Sequence, residues 1–133
     1  MGARPQLPTG YEVVIDGGRQ PPGRDALAWS LEGERLGAGE LCINSIDRDG
    51  TKLGYDLEIT HRISEAVSIP VIASGGAGEP AHLRDAFTAG LADAAIVASI
   101  VHYGEHPIPA LKSYLKRNGV EIRDAVTVDL APP

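Results

Sequence analysis

An α/β fold built on parallel strands follows from three observations. Short apolar runs begin near residues 41, 69 and 94, at spacings of 28 and 25. Between successive runs lie a loop and a stretch with helical apolar spacing. No run alternates cleanly between apolar and polar residues, as expected of strands covered on both faces. Strand–helix units repeating at this interval imply parallel pairing through right-handed crossovers.

The elements can be justified in order. Residues 1–10 carry two prolines and two glycines without periodicity and read as a disordered or atypical lead-in. Tyr11–Ile15 has strand character and ends at Asp16-Gly17-Gly18, a run suited to a tight turn. Pro21-Pro22-Gly23 is a second breaker. Asp25 can cap a helix running to about Gly37, with Leu27 and Leu31 one turn apart and Trp29 as a packing residue. A strand over 41–46 follows, with Cys42 packed inside it. Its loop runs from Asp47 to Tyr55. Asp56 caps the next helix, whose face carries Ile59, Ile63 and Val67. A strand over 69–73 has Pro70 near its start, where a missing N–H does least harm. The loop Ser74-Gly75-Gly76-Ala77-Gly78 leads to a helix opened by Pro80, with Leu83 and Phe87 on its apolar face. A strand over 94–98 passes into a short helix. The last helix, about 107–118, presents Ile108, Leu111 and Leu115 and stops at Gly119. Residues 11–123 form the domain and 124–133 a carboxyl-terminal tail.

Composition narrows the function classes. The 133 residues carry 12 Lys+Arg against 18 Asp+Glu, a formal charge of −6, and only 5% aromatics. That gives neither a general field for nucleic acid or an acidic membrane nor a base-stacking surface. Cys42 is the only cysteine, so no intrachain disulfide can form and a reducing cytoplasm is the default expectation. The amino terminus lacks the apolar core of a signal peptide, and no apolar run approaches a membrane span. The four histidines show no Cys-paired spacing, so neither a metal nor a cofactor is expected. The repeat fits a segment of a (β/α)₈ barrel or a small doubly wound sheet. A full barrel needs about 250 residues, so three core strands cannot close one.

In such folds chemistry sits on loops at the carboxyl ends of the strands. Ser74-Gly75-Gly76-Ala77-Gly78 lets backbone N–H groups approach an anion; it equally suits a tight turn with no ligand. Ala98-Ser99 follows the next strand, so its amide and hydroxyl can converge with those glycines on a phosphate. Asp47-Arg48-Asp49 sets two carboxylates just past a buried strand, available for acid/base work or for a solvated turn in which Arg48 pairs with an aspartate. If the strand continued through this run, Asp47 and Asp49 would share a face.

Taken together, Asn44-Ser45-Ile46-Asp47-Arg48-Asp49-Gly50-Thr51-Lys52-Leu53-Gly54-Tyr55-Asp56 and Ile69-Pro70-Val71-Ile72-Ala73-Ser74-Gly75-Gly76-Ala77-Gly78 resemble the cyclase subunit of imidazole glycerol phosphate synthase, of histidine biosynthesis. The resemblance runs from about Tyr11 to Arg123 and includes Gly17-Gly18-Arg19, Gly37-Ala38-Gly39-Glu40 and Ala98-Ser99. It implies a partial (β/α)₈ TIM barrel: the last three βα units and the hairpin arm before them. It implies a cyclase and lyase that takes ammonia from a glutaminase partner. The reaction closes an imidazole ring on a phosphorylated ribulosyl intermediate and splits off aminoimidazole carboxamide ribotide. By match to the family's motifs, Asp49 is a substrate-site aspartate assisting catalysis. Ser74, Gly75, Gly76, Ala98 and Ser99 hold one substrate phosphate, and Glu40 lines the ammonia entrance on the barrel floor. The family's two principal catalytic aspartates lie on strands one and five, which this match does not reach. The isolated chain is therefore expected to be inactive. The alternative is a non-catalytic, phosphate-binding half-barrel that self-associates through exposed sheet edges or complements a missing half.

Overall fold

The computed structural model describes residues 1–3 and 6–126. In chain order the elements are β1 (Gly2–Ala3), β2 (Tyr11–Glu12), α1 (Ala26–Arg35), β3 (Leu41–Asn44), α2 (Leu57–Ala66), β4 (Val71–Ser74), α3 (Pro80–Thr88), β5 (Ala94–Ala95), α4 (Ser99–His102) and α5 (Ile108–Arg117). Strands β3, β4 and β5 form a parallel sheet in that order. Leu41 to Asn44 stand opposite Val71 to Ser74, and Ile72 and Ala73 opposite Ala94 and Ala95. The third strand is shorter than the 94–98 run predicts, although the Ile96 N–H still donates to the Ala73 carbonyl at 2.9 Å.

Helices cover one face of this sheet. Ile43 and Val71 pack with Ala26 of α1 and Ile59 and Ile63 of α2. Ala73 packs with Leu83 and Ala86 of α3, Ile100 of α4 and Leu111 and Leu115 of α5. Residues one step along the strands point the other way, and there Cys42 and Asn44 are exposed and Ile96 is 47% exposed. Two expectations are thereby corrected. Among the described residues the strands are not covered on both faces, and Cys42 does not pack: the two-residue period of a strand turns it away from the helices that bury Ile43. Apolar content cannot distinguish a face covered by helices from one that meets the far side of a barrel.

Local chemistry explains the helices. The Asp25 carboxylate caps α1 by accepting from the Leu27 and Ala28 N–H groups, both at 3.1 Å. The buried stripe of α1 is Ala26 and Ser30, while Leu31 is 43% exposed and Trp29 37%. Trp29 is thus not a core packing residue; the Arg24 guanidinium sits over its ring, 4.2 Å from the centroid. Asp56 occupies the cap position of α2 but forms no side-chain cap. Its carboxylate instead accepts from the Tyr11 hydroxyl at 2.9 Å and the Ser45 hydroxyl at 3.4 Å. Pro80 opens α3 as its spacing predicts. In α5 Leu111 and Leu115 are buried, but Ile108, at the first turn, is 38% exposed.

The segment before α1 is a hairpin arm. Val13 N–H donates to the Arg24 carbonyl and Ile15 N–H to the Gln20 carbonyl, at 2.9 and 3.0 Å. The turn between them uses positive φ at Asp16, Gly17 and Gly18, and aspartate is among the few non-glycine residues that visit that region readily. The lead-in has a defined start: Gly2–Ala3 pairs antiparallel with β2. Met1 lies along the free edge of β3, its amino group donating to the Asn44 carbonyl at 2.6 Å and its carbonyl accepting from Ile46 N–H at 3.0 Å. Residues 4–5 of the lead-in and 127–133 of the tail lie outside the described residues. Among the described residues, no helix is long and apolar enough to cross a membrane.

Candidate functional site

The loops after β3, β4 and β5 meet at the carboxyl end of the sheet. Beyond Asn44 the chain leaves the sheet and turns, because the Ser45 carbonyl accepts from both the Arg48 and Asp49 N–H groups at 3.2 and 2.9 Å. The strand does not continue through Asp47 and Asp49, so these carboxylates do not share a face. Asp47 lies against the amino-terminal segment, its carboxylate within 3.5 Å of where a Cβ on Gly2 would stand. Asp49 turns into the cavity between the three loops. The Thr51 hydroxyl tightens the turn by donating to the Arg48 carbonyl at 2.7 Å.

The glycine loop after β4 is pressed against this turn. Gly54 N–H donates to the Gly76 carbonyl at 2.8 Å. A Cβ on Gly75 would lie 2.8 Å from the Ser45 carbonyl oxygen, on Gly76 2.2 Å from that of Gly54, and on Gly78 2.2 Å from that of Lys52. Gly75 and Gly76 also have φ of +85° and +105°. Only residues without a Cβ allow so close an approach. From the far side the buried Tyr55 hydroxyl donates to the Ile96 carbonyl at 2.8 Å, tying the loop after β3 to the end of β5. Burial holds the Tyr55 phenol above its ordinary pKa, so it remains a neutral donor.

The result is a cavity of about 140 Å³ lined by Asp49, Ser74, Gly75, Gly76, Ala98 and Ser99, together with Gly50, Lys52, Ala77 and Ile96. Asp49, Ser74, Gly75, Gly76, Ala98 and Ser99 therefore line one cavity, whereas Asp47 and Arg48 do not. It is smaller than the roughly 300–1,000 Å³ of a typical small-molecule pocket, and suits a single oxyanion group. A larger cleft of about 400 Å³, lined by Tyr11, Arg48, Asp56, His82 and Asp85 among others, takes Arg48 but none of those six residues of the smaller cavity. Glu40 is exposed and immediately precedes β3, at the opposite end of the sheet.

Sequence reasoning did not single out Lys52 or Tyr55. Lys52 is the only cationic residue among the described residues lining the cavity. It has φ of +59°, and its ammonium pairs with Glu105 at 2.5 Å. Its place two residues after Gly50, in the turn that carries Asp49, was the available signal. Two of the four histidines have backbone partners: His61 Nδ1 bonds the Ala89 carbonyl at 2.8 Å, and His82 Nδ1 accepts from the Gly78 and Glu79 N–H groups at 3.1 and 3.2 Å. Among the described residues no group of three or more His, Cys, Asp or Glu side chains is placed to hold a metal ion.

Residues 3–107 match the family model described as histidine biosynthesis protein. Proteins named imidazole glycerol phosphate synthase subunit HisF are similar to the chain. That of Desulfosudis oleivorans is 61% identical over 120 residues, covering 90% of this chain and 46% of the relative. That of Desulfatibacillum aliphaticivorans is 61% identical over 119 residues, with the same coverage. That of Solidesulfovibrio magneticus is 56% identical over 124 residues, covering 93% and 48%. The chain thus spans about half the length of the relatives it matches. With a parallel sheet, helices on one face and loops converging at the carboxyl ends, the chain belongs to the histidine biosynthesis protein family as a partial (β/α)₈ barrel.

Proposed function

We propose that the chain is the carboxyl-terminal part of the cyclase subunit of imidazole glycerol phosphate synthase, and that its cavity holds one phosphate of a phosphorylated ribulosyl substrate. The observation that carries this reading is the convergence of Asp49, Ser74, Gly75, Gly76, Ala98 and Ser99 on one small cavity. Gly75 and Gly76 bring backbone close to an anion without a Cβ in the way, and Ser99 adds a hydroxyl. Asp49 sits beside this anchor, positioned to assist proton transfer at the reacting part of the substrate. Glu40, at the other end of β3, lines the entrance for ammonia delivered by a glutaminase subunit.

Cyclisation requires groups held on both sides of the substrate, and one anchor with one carboxylate does not supply them. The purified chain alone is expected to show no ammonia-dependent turnover. Mixing it with a chain supplying the remaining strands is expected to restore turnover, and Asp49→Asn to abolish it. Turnover by the chain alone overturns the first expectation; full activity with Asp49→Asn overturns the role of Asp49.

A second reading is favoured by the uncovered sheet face, where Cys42, Asn44 and Ile96 are exposed. There the chain acts as a non-catalytic phosphate-binding half-barrel that associates with another copy or with a complementary half. Sedimentation above 14.0 kDa supports it, and a compact monomer with a cooperative thermal transition contradicts it.

A further inference from the structure

We propose that Lys52 is an anion-binding residue of this cavity, parked on Glu105 when the site is empty and transferred to phosphate when it fills. The inference rests on the reading of the cavity as a phosphate site. Among the described residues lining the cavity, Asp49 and Lys52 carry the charged side chains. A phosphate dianion placed beside the Asp49 carboxylate is repelled unless a cation stands near it. Glycine amides bring only partial charges, so Lys52 has to provide the compensation.

In the empty site that ammonium is committed elsewhere, 2.5 Å from the Glu105 carboxylate. The partners are 42% and 40% exposed, and an ion pair so open to water is weakly held. A phosphate oxygen offers the same ammonium a charge-assisted bond in a more enclosed position. Glu105, once released, is rehydrated at the surface. The exchange needs no backbone movement at Lys52, whose carbonyl is wedged against Gly78: a Cβ there would lie 2.2 Å away. The lysine stem alone swings.

The Lys52–Glu105 pair joins the loop after β3 to the segment after α4, 53 residues apart in sequence. It is therefore a tie between these two segments as well as a store for the cation. Occupation of the site transfers the lysine inward and leaves the Glu105 segment untied.

The test is a titration with inorganic phosphate at constant ionic strength, followed by backbone amide NMR. Wild type, Glu105→Gln, Lys52→Met and the double variant are compared. In wild type, shifts at Gly75, Gly76 and Ser99 are expected together with a shift at Glu105. Glu105→Gln should bind phosphate about two- to fivefold more tightly, the factor set by loss of a weak competing pair. Lys52→Met should bind at least about tenfold more weakly, and adding Glu105→Gln to it should change nothing further. Shifts at the glycines with none at Glu105 overturn the exchange but leave the phosphate site standing. Equal tightening by Glu105→Gln with and without Lys52 also overturns it, because simple repulsion by the carboxylate then accounts for the effect. Absence of any shift at Gly75, Gly76 and Ser99 in folded wild-type protein removes the phosphate site, and the exchange with it. Should Lys52→Met fail to fold, Lys52→Gln takes its place in the same four-way comparison, with the same outcomes deciding.

Discussion

Replacing Gly76 by alanine tests how firmly the loops after β3 and β4 are locked together. The new Cβ would stand 2.2 Å from the Gly54 carbonyl oxygen, 2.9 Å from its carbon and 3.0 Å from the Arg48 Cβ, at a φ of +105°. The conformation alone costs an L-residue about 1–2 kcal/mol. The obstructing atoms are backbone, and the same peptides are joined by the 2.8 Å bond from Gly54 N–H to the Gly76 carbonyl. No side-chain rotation relieves the overlap, so the loops must part, adding about 1–3 kcal/mol as in an overpacked core. The expected loss is about 2–5 kcal/mol. With a urea dependence of about 2 kcal/mol/M, the unfolding midpoint should fall by roughly 1–2.5 M. Gly119→Ala is the matched control: Gly119 has φ of +78°, but its Cβ would meet no atom within 4 Å. That variant should lose only the conformational part, about 1 kcal/mol. Equal midpoints for the two variants would refute the claim that close approach between the loops makes glycine necessary at Gly76.

Further expectations concern the supports of the site. The buried Asp25 carboxylate accepts from Thr9 through both hydroxyl (2.6 Å) and N–H (2.9 Å), and from the first turn of α1. Burial alone would raise its pKa, but these donors outweigh burial and hold it below the usual carboxylate value. Its stabilising contribution is complete above about pH 4, the unfolded value, and is lost as pH falls through the depressed folded value. Urea midpoints between pH 5 and 2 should show this loss in wild type and not in Asp25→Asn; identical profiles would contradict it. Tyr55→Phe should cost about 1 kcal/mol by deleting the hydroxyl bond to Ile96, measurable as a lower urea midpoint. Cys42 should react with a thiol reagent in the native protein without prior unfolding, since it is exposed on the open sheet face; protection that grows with protein concentration would show that another copy covers this face.

What was legible in the sequence was local or periodic. The Asp25 cap, Pro80 at a helix start, the turn at Asp16-Gly17-Gly18 and the apolar faces of α2 and α3 each depend on residues within a turn or two, so spacing reveals them. The loop glycines were visible as a cluster for the same reason. Family motifs extended this to Asp49, Ser74, Gly75, Gly76, Ala98 and Ser99, which the fold gathers at one cavity.

Other features were decided only when distant segments met. Asp47 and Asp49 are alike in sequence, but the Ser45 carbonyl ends the strand and sends one toward the amino-terminal segment and the other into the cavity. Asp56 stands where a helix cap belongs, yet its carboxylate is taken by Tyr11, 45 residues away. Cys42 lies in an apolar run, and the sheet's uncovered face leaves it in water. Lys52 acquires its meaning from Glu105, 53 residues on, and from a glycine loop that crowds its carbonyl. Composition and period describe what a residue prefers; the side on which neighbouring strands, helices and charges arrive is set by chain crossings that only the folded structure contains.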